Sequence, residues 1–191
     1  MTENNKYKVF ISYRRKDNLL KDTVFSILNE YIDEDRIFVD KKNLYKEPNK
    51  WFETIKASLL SSEYIIICLD KDSYNKEIGN DKTDWYYEEI DLALERQKQE
   101  NKINIILAVN NRPSFDKTKQ RDKELSELQD VCYNSGDQKI FKDNLLKMVG
   151  IDVDTAQKKS TATTATKNII NNVKGNQYNF GDITGGTFNF N

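Results

Sequence analysis

The chain contains no histidine, and that absence removes Ser-His-Asp and Cys-His catalysis together with every histidine-containing metal site. Chemistry here must run on carboxylates, hydroxyls, lysine or arginine, and no metal is expected. Only two cysteines, Cys68 and Cys132, occur in 191 residues. They are too few for a disulfide framework and read as buried or inert thiols. The glycine signatures GxGxxG and GxxxxGK[ST] are both missing, which excludes a dinucleotide-binding Rossmann turn and a P-loop. No apolar run approaches the roughly 20 residues that cross a bilayer; the longest extends from Ile65 to Leu69. Met1 to Asn5 leads into a strand-like segment without a signal-peptide core, so a cytoplasmic location and no membrane partner are expected. Thirty basic residues stand against 31 acidic ones, a net charge of −1, so no global field favours nucleic acid.

What is present alternates. Lys8 to Ser12 is a short apolar, β-branched and aromatic run; Leu20, Val24, Ile27, Leu28 and Tyr31 then recur at helical spacing. Asp17 is placed to cap that helix, and Asp33-Glu34-Asp35 ends it before a second strand, Arg36 to Asp40. A polar loop from Lys41 to Lys50 carries Pro48, and Trp51, Phe52, Ile55, Leu59 and Leu60 form the next helical face. Tyr64 to Leu69 is a near-continuous apolar strand of the kind covered on both faces. Asp84 is placed to cap a helix reaching about Gln99, with Tyr86, Ile90, Ala93, Leu94 and Gln97 along one side. Ile103 to Val109 reads as a fourth strand. Further on, the pattern predicts a helix near Lys123 to Cys132, an edge strand at Lys139 to Lys142 and a helix from Asp143 to Val149.

Strands alternating with helices require parallel strands and right-handed crossovers, hence an α/β fold: a flavodoxin-like, doubly wound sheet of about five strands over residues 6–150. Ligands of such sheets bind outside the carboxyl ends of the strands. Residues 151–174 have little to bury and read as a flexible linker. Residues 175–191 hold Gly175, Gly181, Gly185 and Gly186 and alternate polar with aromatic residues, so a short β-prone tail is expected. Tyr178, Phe180, Phe188 and Phe190 with interleaved asparagines suit either cross-β stacking or a packed hairpin.

From residue types alone, Arg14 and Arg15 are either solvated surface arginines or a phosphate clamp at the end of the first strand. The order of three segments adds information. Val9-Phe-Ile-Ser-Tyr-Arg-Arg15, Ile37-Phe-Val-Asp40 and Asp84-Trp-Tyr-Tyr-Glu-Glu-Ile-Asp-Leu-Ala-Leu94 together resemble the TIR family over roughly residues 6–149. The first and third are similar to the NAD-cleaving TIR domains of axon-degeneration enzymes. The resemblance implies that Glu89, in the Trp-x-x-x-Glu pattern from Trp85, is the catalytic carboxylate acting on the ribose next to nicotinamide. It further implies that Tyr13, Arg14, Arg15, Leu44 and Trp85 contact NAD⁺, which is a substrate, so that no cofactor is required.

On a helix, Trp85 and Glu89 share a face, and the helix N-terminus is expected to keep Glu89 ionised. Trp85 serves as an aromatic wall, as a core anchor, or as both; Asp40 reads as a strand-end cap. What the family resemblance implies overall is a bacterial anti-phage NAD⁺ glycohydrolase activated by self-assembly, with an upstream sensor as a candidate partner. The product is ADP-ribose or a cyclic form. The rival expectation is a non-catalytic TIR interaction module. One departure stands out: the loop after Asp40 carries Pro48 where the family usually has a glycine.

Overall fold

A computed structural model describes residues 8–14, 18–40, 48–74, 84–100, 103–133 and 137–153. Asp17, most of the expected linker and the whole tail lie outside the described residues.

Five strands form one parallel sheet: β1 (Val9–Ser12), β2 (Ile37–Val39), β3 (Tyr64–Asp70), β4 (Asn104–Asn110) and β5 (Asp130–Cys132). Their order is β2-β1-β3-β4-β5, the flavodoxin-like winding, which reverses direction between β1 and β3. Two-residue alternation sorts the side chains into two cores. Ile66 and Cys68 of β3 and Ile106 and Ala108 of β4 face one side with Val9 and Ile11. There they meet Leu20, Val24 and Leu28 of α1 (Asn18–Asn29) and Phe141, Leu145 and Leu146 of α6 (Gln138–Met148). Phe10, Ile65, Ile67, Leu69, Ile105 and Leu107 face the other side. This second core is closed by α2 (Pro48–Ser61), the short α3 (Lys71–Tyr74), α4 (Trp85–Gln99) and α5 (Gln120–Glu127). β3 and β4 are buried on both faces, as continuous apolar runs require.

The C-terminal third departs from the predicted elements. The expected helix at Lys123–Cys132 divides into α5 and the edge strand β5, and the expected strand at Lys139–Lys142 is the first part of α6. Phe141, Leu145 and Leu146 recur at helical spacing and bury together, and Asp137 caps the helix by accepting from the Ile140 amide at 3.2 Å. β5 has three residues with one buried side chain, Val131, too short to show a period. After α6, Gly150 adopts φ +71°. Its amide donates to the Lys147 carbonyl at 3.1 Å and that of Ile151 to the Leu146 carbonyl at 2.8 Å, the paired bonds of a Schellman stop.

Smaller corrections concern single positions. Leu60 is exposed, whereas Trp51, Ile55 and Leu59 hold the buried face of α2. In α4 the inward residue near the end is Arg96, not Gln97. Its Nη1 donates to the Leu59 carbonyl and, at 2.9 Å, to the Ser62 carbonyl, so the guanidinium closes the C-terminus of α2. Pro48 belongs to α2 as its first residue, where a missing N–H costs nothing and a fixed φ suits the helix. Cys68 is buried and Cys132 exposed.

Candidate active site

The alternation that places Phe10 against α2 and α4 continues past the end of β1. Ser12 and then Arg14 keep the same phase and meet α4. Ser12 is buried, and its Oγ donates to Glu89 Oε2 at 2.6 Å. Arg14 is also buried; its Nη2 bonds Asp84 Oδ2 at 2.5 Å, and its guanidinium lies 5.1 Å and 5.0 Å from the ring centres of Tyr86 and Tyr87. The solvated-arginine reading of Arg14 is therefore overturned: aromatic rings and an ion pair enclose it. Among the described residues, Arg14 Nε has no hydrogen-bond partner. Asp84 flanks α4, but its side chain does not cap the helix. Only its backbone carbonyl accepts from Tyr87 and Glu88, at 3.0 and 3.1 Å, because the carboxylate is engaged by Arg14.

Glu89 is half-buried as a residue, but its carboxyl is turned away from water toward β1. Burial is the largest influence on it and penalises the charged form; Asp40 and Asp84 add like-charge repulsion, while the Ser12 hydroxyl opposes them. The balance pushes the Glu89 carboxyl up to about 8. Glu89 is therefore chiefly protonated at neutral pH, contrary to the expectation of an ionised group. The helix-end field, a surface effect of less than about 1 kcal/mol, loses to desolvation.

Tyr13, in the opposite phase from Ser12, packs against the α1–α6 core and donates its hydroxyl to the Asp40 carbonyl at 2.9 Å. Asp40 also accepts from Trp51 Nε1 at 3.3 Å, so it is more than a strand-end cap. Trp85 is 40% exposed. It stands edge-on to Trp51 at 5.1 Å and tilted against Phe52 at 5.0 Å, making an aromatic ledge between α2 and α4 rather than a core anchor. Tyr86, Ile90 and Ala93 turn into the core as expected.

Arg15 and Leu44 lie outside the described residues. Of the other named positions, Glu89 and Arg14 meet β1 and α4, while Tyr13 and Trp85 approach from either side through Asp40 and Trp51. Sequence reasoning missed Ser12 and Trp51. Strand phase alone could have found Ser12, since it shares parity with Phe10 and closes β1. Trp51 carries no such signal, because its partner Asp40 comes from another element.

All these groups sit at the carboxyl ends of β1 and β2, beside the point where the winding reverses, the usual ligand location in open α/β sheets. A second cleft, lined by Ser62, Tyr64, Arg96 and Asn104, lies at the opposite end, where β3 and β4 begin. Its arginine is already engaged as the α2 cap. Among the described residues no acidic or cysteine cluster is arranged to hold a metal ion, and no helix is long and apolar enough to cross a membrane.

No curated protein matches the sequence. Among solved structures, the chain is similar to the Clostridium botulinum CMP N-glycosidase BcmB, at 16% identity and TM-score 0.44, over 72% of this chain and 98% of that one. It is also similar to the TIR domains of the activated Roq1 resistosome that recognises the pathogen effector XopQ, at 16% identity and TM-score 0.38, over 76% and 85%. Likeness at that level bears on neither substrate nor assembly. The TIR domain family matches residues 9–149, which span all the strands, helices and site residues found among the described residues; the chain belongs to the TIR domain family.

Proposed function

We propose that this TIR domain is an NAD⁺ glycohydrolase in which Glu89 is the catalytic carboxylate. One observation carries the reading: a carboxyl with raised proton affinity, held by a buried serine at the carboxyl end of β1. Strongly perturbed acids cluster at functional sites, which makes Glu89 a candidate with a physical rationale. Breaking the bond between nicotinamide and ribose sends the electron pair to the nicotinamide nitrogen, which leaves neutral, and builds positive charge on the sugar. A fixed carboxylate stabilises that oxocarbenium-like state. No acid is needed for the leaving group, which suits a chain without histidine. The nicotinamide ring of NAD⁺ is itself cationic, and a cation beside Glu89 favours loss of the Glu89 proton. Substrate binding thus generates the ionised form that the reaction uses.

Water attacking the sugar gives ADP-ribose and a proton; an adenine nitrogen attacking it gives a cyclic product. In this reading Trp85 supplies a flat wall for a planar ring, and Arg14 restrains Asp84 at the start of α4, with contact to a phosphate proposed for it on the family resemblance alone. Arg15 and Leu44 are proposed contacts on the family resemblance alone. Activation by self-assembly, an upstream sensor and a bacterial anti-phage setting are proposed on the same ground.

The test is nicotinamide release from NAD⁺ by concentrated, purified full-length protein, wild type against Glu89→Ala. Release by wild type alone supports the proposal; intact NAD⁺ with assembled wild-type protein sinks it and favours the non-catalytic interaction module.

A further inference from the structure

The sheet brings a second carboxylate to the same place. Asp40 follows β2, and the pairing of Ile11 with Val39 sets it level with Ser12. Its position is fixed from three sides: by strand register, by the Tyr13 hydroxyl on its carbonyl at 2.9 Å, and by the Trp51 indole on its carboxylate at 3.3 Å. Trp51 is buried and braced by Trp85, so the indole is not free to swing away. Three elements therefore converge to hold one acid beside the Ser12–Glu89 pair. The charged groups facing Glu89 among the described residues are Asp40 after β2 and Asp84 before α4, with Arg14 bound to Asp84.

We propose that Asp40 is a positioning carboxylate: held by Trp51 and Tyr13, it acts through Glu89 and makes the site select glycosides whose leaving base is positively charged. The proposal rests on reading the site as an N-glycoside pocket. Two acids placed side by side disfavour a second negative charge. A ring cation entering between them offsets that repulsion, and Glu89 releases its proton to solvent. A neutral ring offers no such compensation and meets a protonated, inactive acid. Asp40 thereby converts the charge of the leaving base into a condition for catalysis.

The experiment is a carboxyl-carbon NMR titration of Glu89 in the full chain, alone, with 1-methylnicotinamide as a ring cation, and with nicotinamide as the neutral ring. In wild type the cation lowers the Glu89 midpoint by one pH unit or more and nicotinamide leaves it in place. Asp40→Asn lowers the midpoint of the free protein and reduces the preference for the cation by about tenfold, the equivalent of one pH unit of coupling. Trp51→Phe keeps the aromatic packing, removes the indole donor and produces a smaller change of the same sign, which decides the matter should Asp40→Asn fail to fold. A folded variant with unchanged midpoint and unchanged preference overturns the proposal. Nicotinamide release from NAD⁺ is followed in the same samples. Absence of turnover alongside an Asp40-dependent titration defeats the hydrolase and upholds Asp40; turnover with an Asp40-independent titration does the reverse.

Discussion

At the scale of single residues, Glu89 carries opposing demands. Its folded proton affinity lies near 8 against an ordinary 4.5, so between those values the folded chain binds a proton that the unfolded chain does not. The sign follows from linkage: this contribution to stability is complete below about pH 4.5 and is lost as pH rises to about 8, at about 1.4 kcal/mol for each pH unit crossed. Glu89→Gln, which removes the titration, is therefore expected to raise the melting temperature more at pH 8 than at pH 5, as differential scanning calorimetry at the two values will report. The same substitution lowers NAD⁺ turnover by about 10²–10³-fold, the usual cost of one preorganised electrostatic group. For wild type, kcat/KM reports the free enzyme and rises with pH until about 8. The kcat profile reports the loaded enzyme and has its acid limb at lower pH, because the bound cation lowers the Glu89 midpoint. A flat profile of both parameters between pH 5 and 8 contradicts this role.

At the scale of elements, two joints bear measurable load. Arg96 connects α4 to the C-terminus of α2 through carbonyls that have few other donors. Arg96→Leu keeps much of the volume but deprives buried carbonyls of a charged donor, and is expected to cost about 2–3 kcal/mol in chemical denaturation. Gly150 ends α6 with positive φ, and a Cβ there would meet the Tyr64 hydroxyl at 2.7 Å. Gly150→Ala is expected to cost about 1–2 kcal/mol from the left-handed backbone alone. Adding Tyr64→Phe recovers the steric part and leaves the backbone part, so the double variant measures each. These joints also explain which elements could be read in advance. Long segments with a clear period, such as Tyr64–Asp70 and Trp85–Gln99, declare themselves. A three-residue edge strand cannot, and Ile140 and Phe141 mimic a strand until the helix cap at Asp137 and the buried face completed by Leu145 and Leu146 are taken together.

At the scale of the molecule, the chain is an α/β domain followed by a compositionally different tail. Removing residues 175–191 is expected to abolish assembly and lower activity while the α/β domain stays folded. Sedimentation velocity and NAD⁺ turnover check it together, and equal sedimentation with equal turnover shows that residues 175–191 drive neither assembly nor activity. Much of this organisation is written locally. Period-two and helical repeats dictate the alternating elements, and the fold class follows because parallel strands need crossovers. The absence of histidine and of phosphate-binding glycine turns restricts the chemistry, and the resemblance to the TIR Trp-x-x-x-Glu pattern singles out one carboxylate of a charged helix.

Tertiary structure alone decides how that carboxylate behaves. Its proton affinity depends on burial, on Ser12 and Asp40, which come to it from two distant places in the chain, and on Asp84 at the start of its own helix. Arg14 likewise turns from a surface cation into a buried tether only because Asp84, Tyr86 and Tyr87 arrive from seventy residues away. Periodicity is a property of neighbours along the chain. The electrostatic environment of a site is set by neighbours in space, and only folding assembles them.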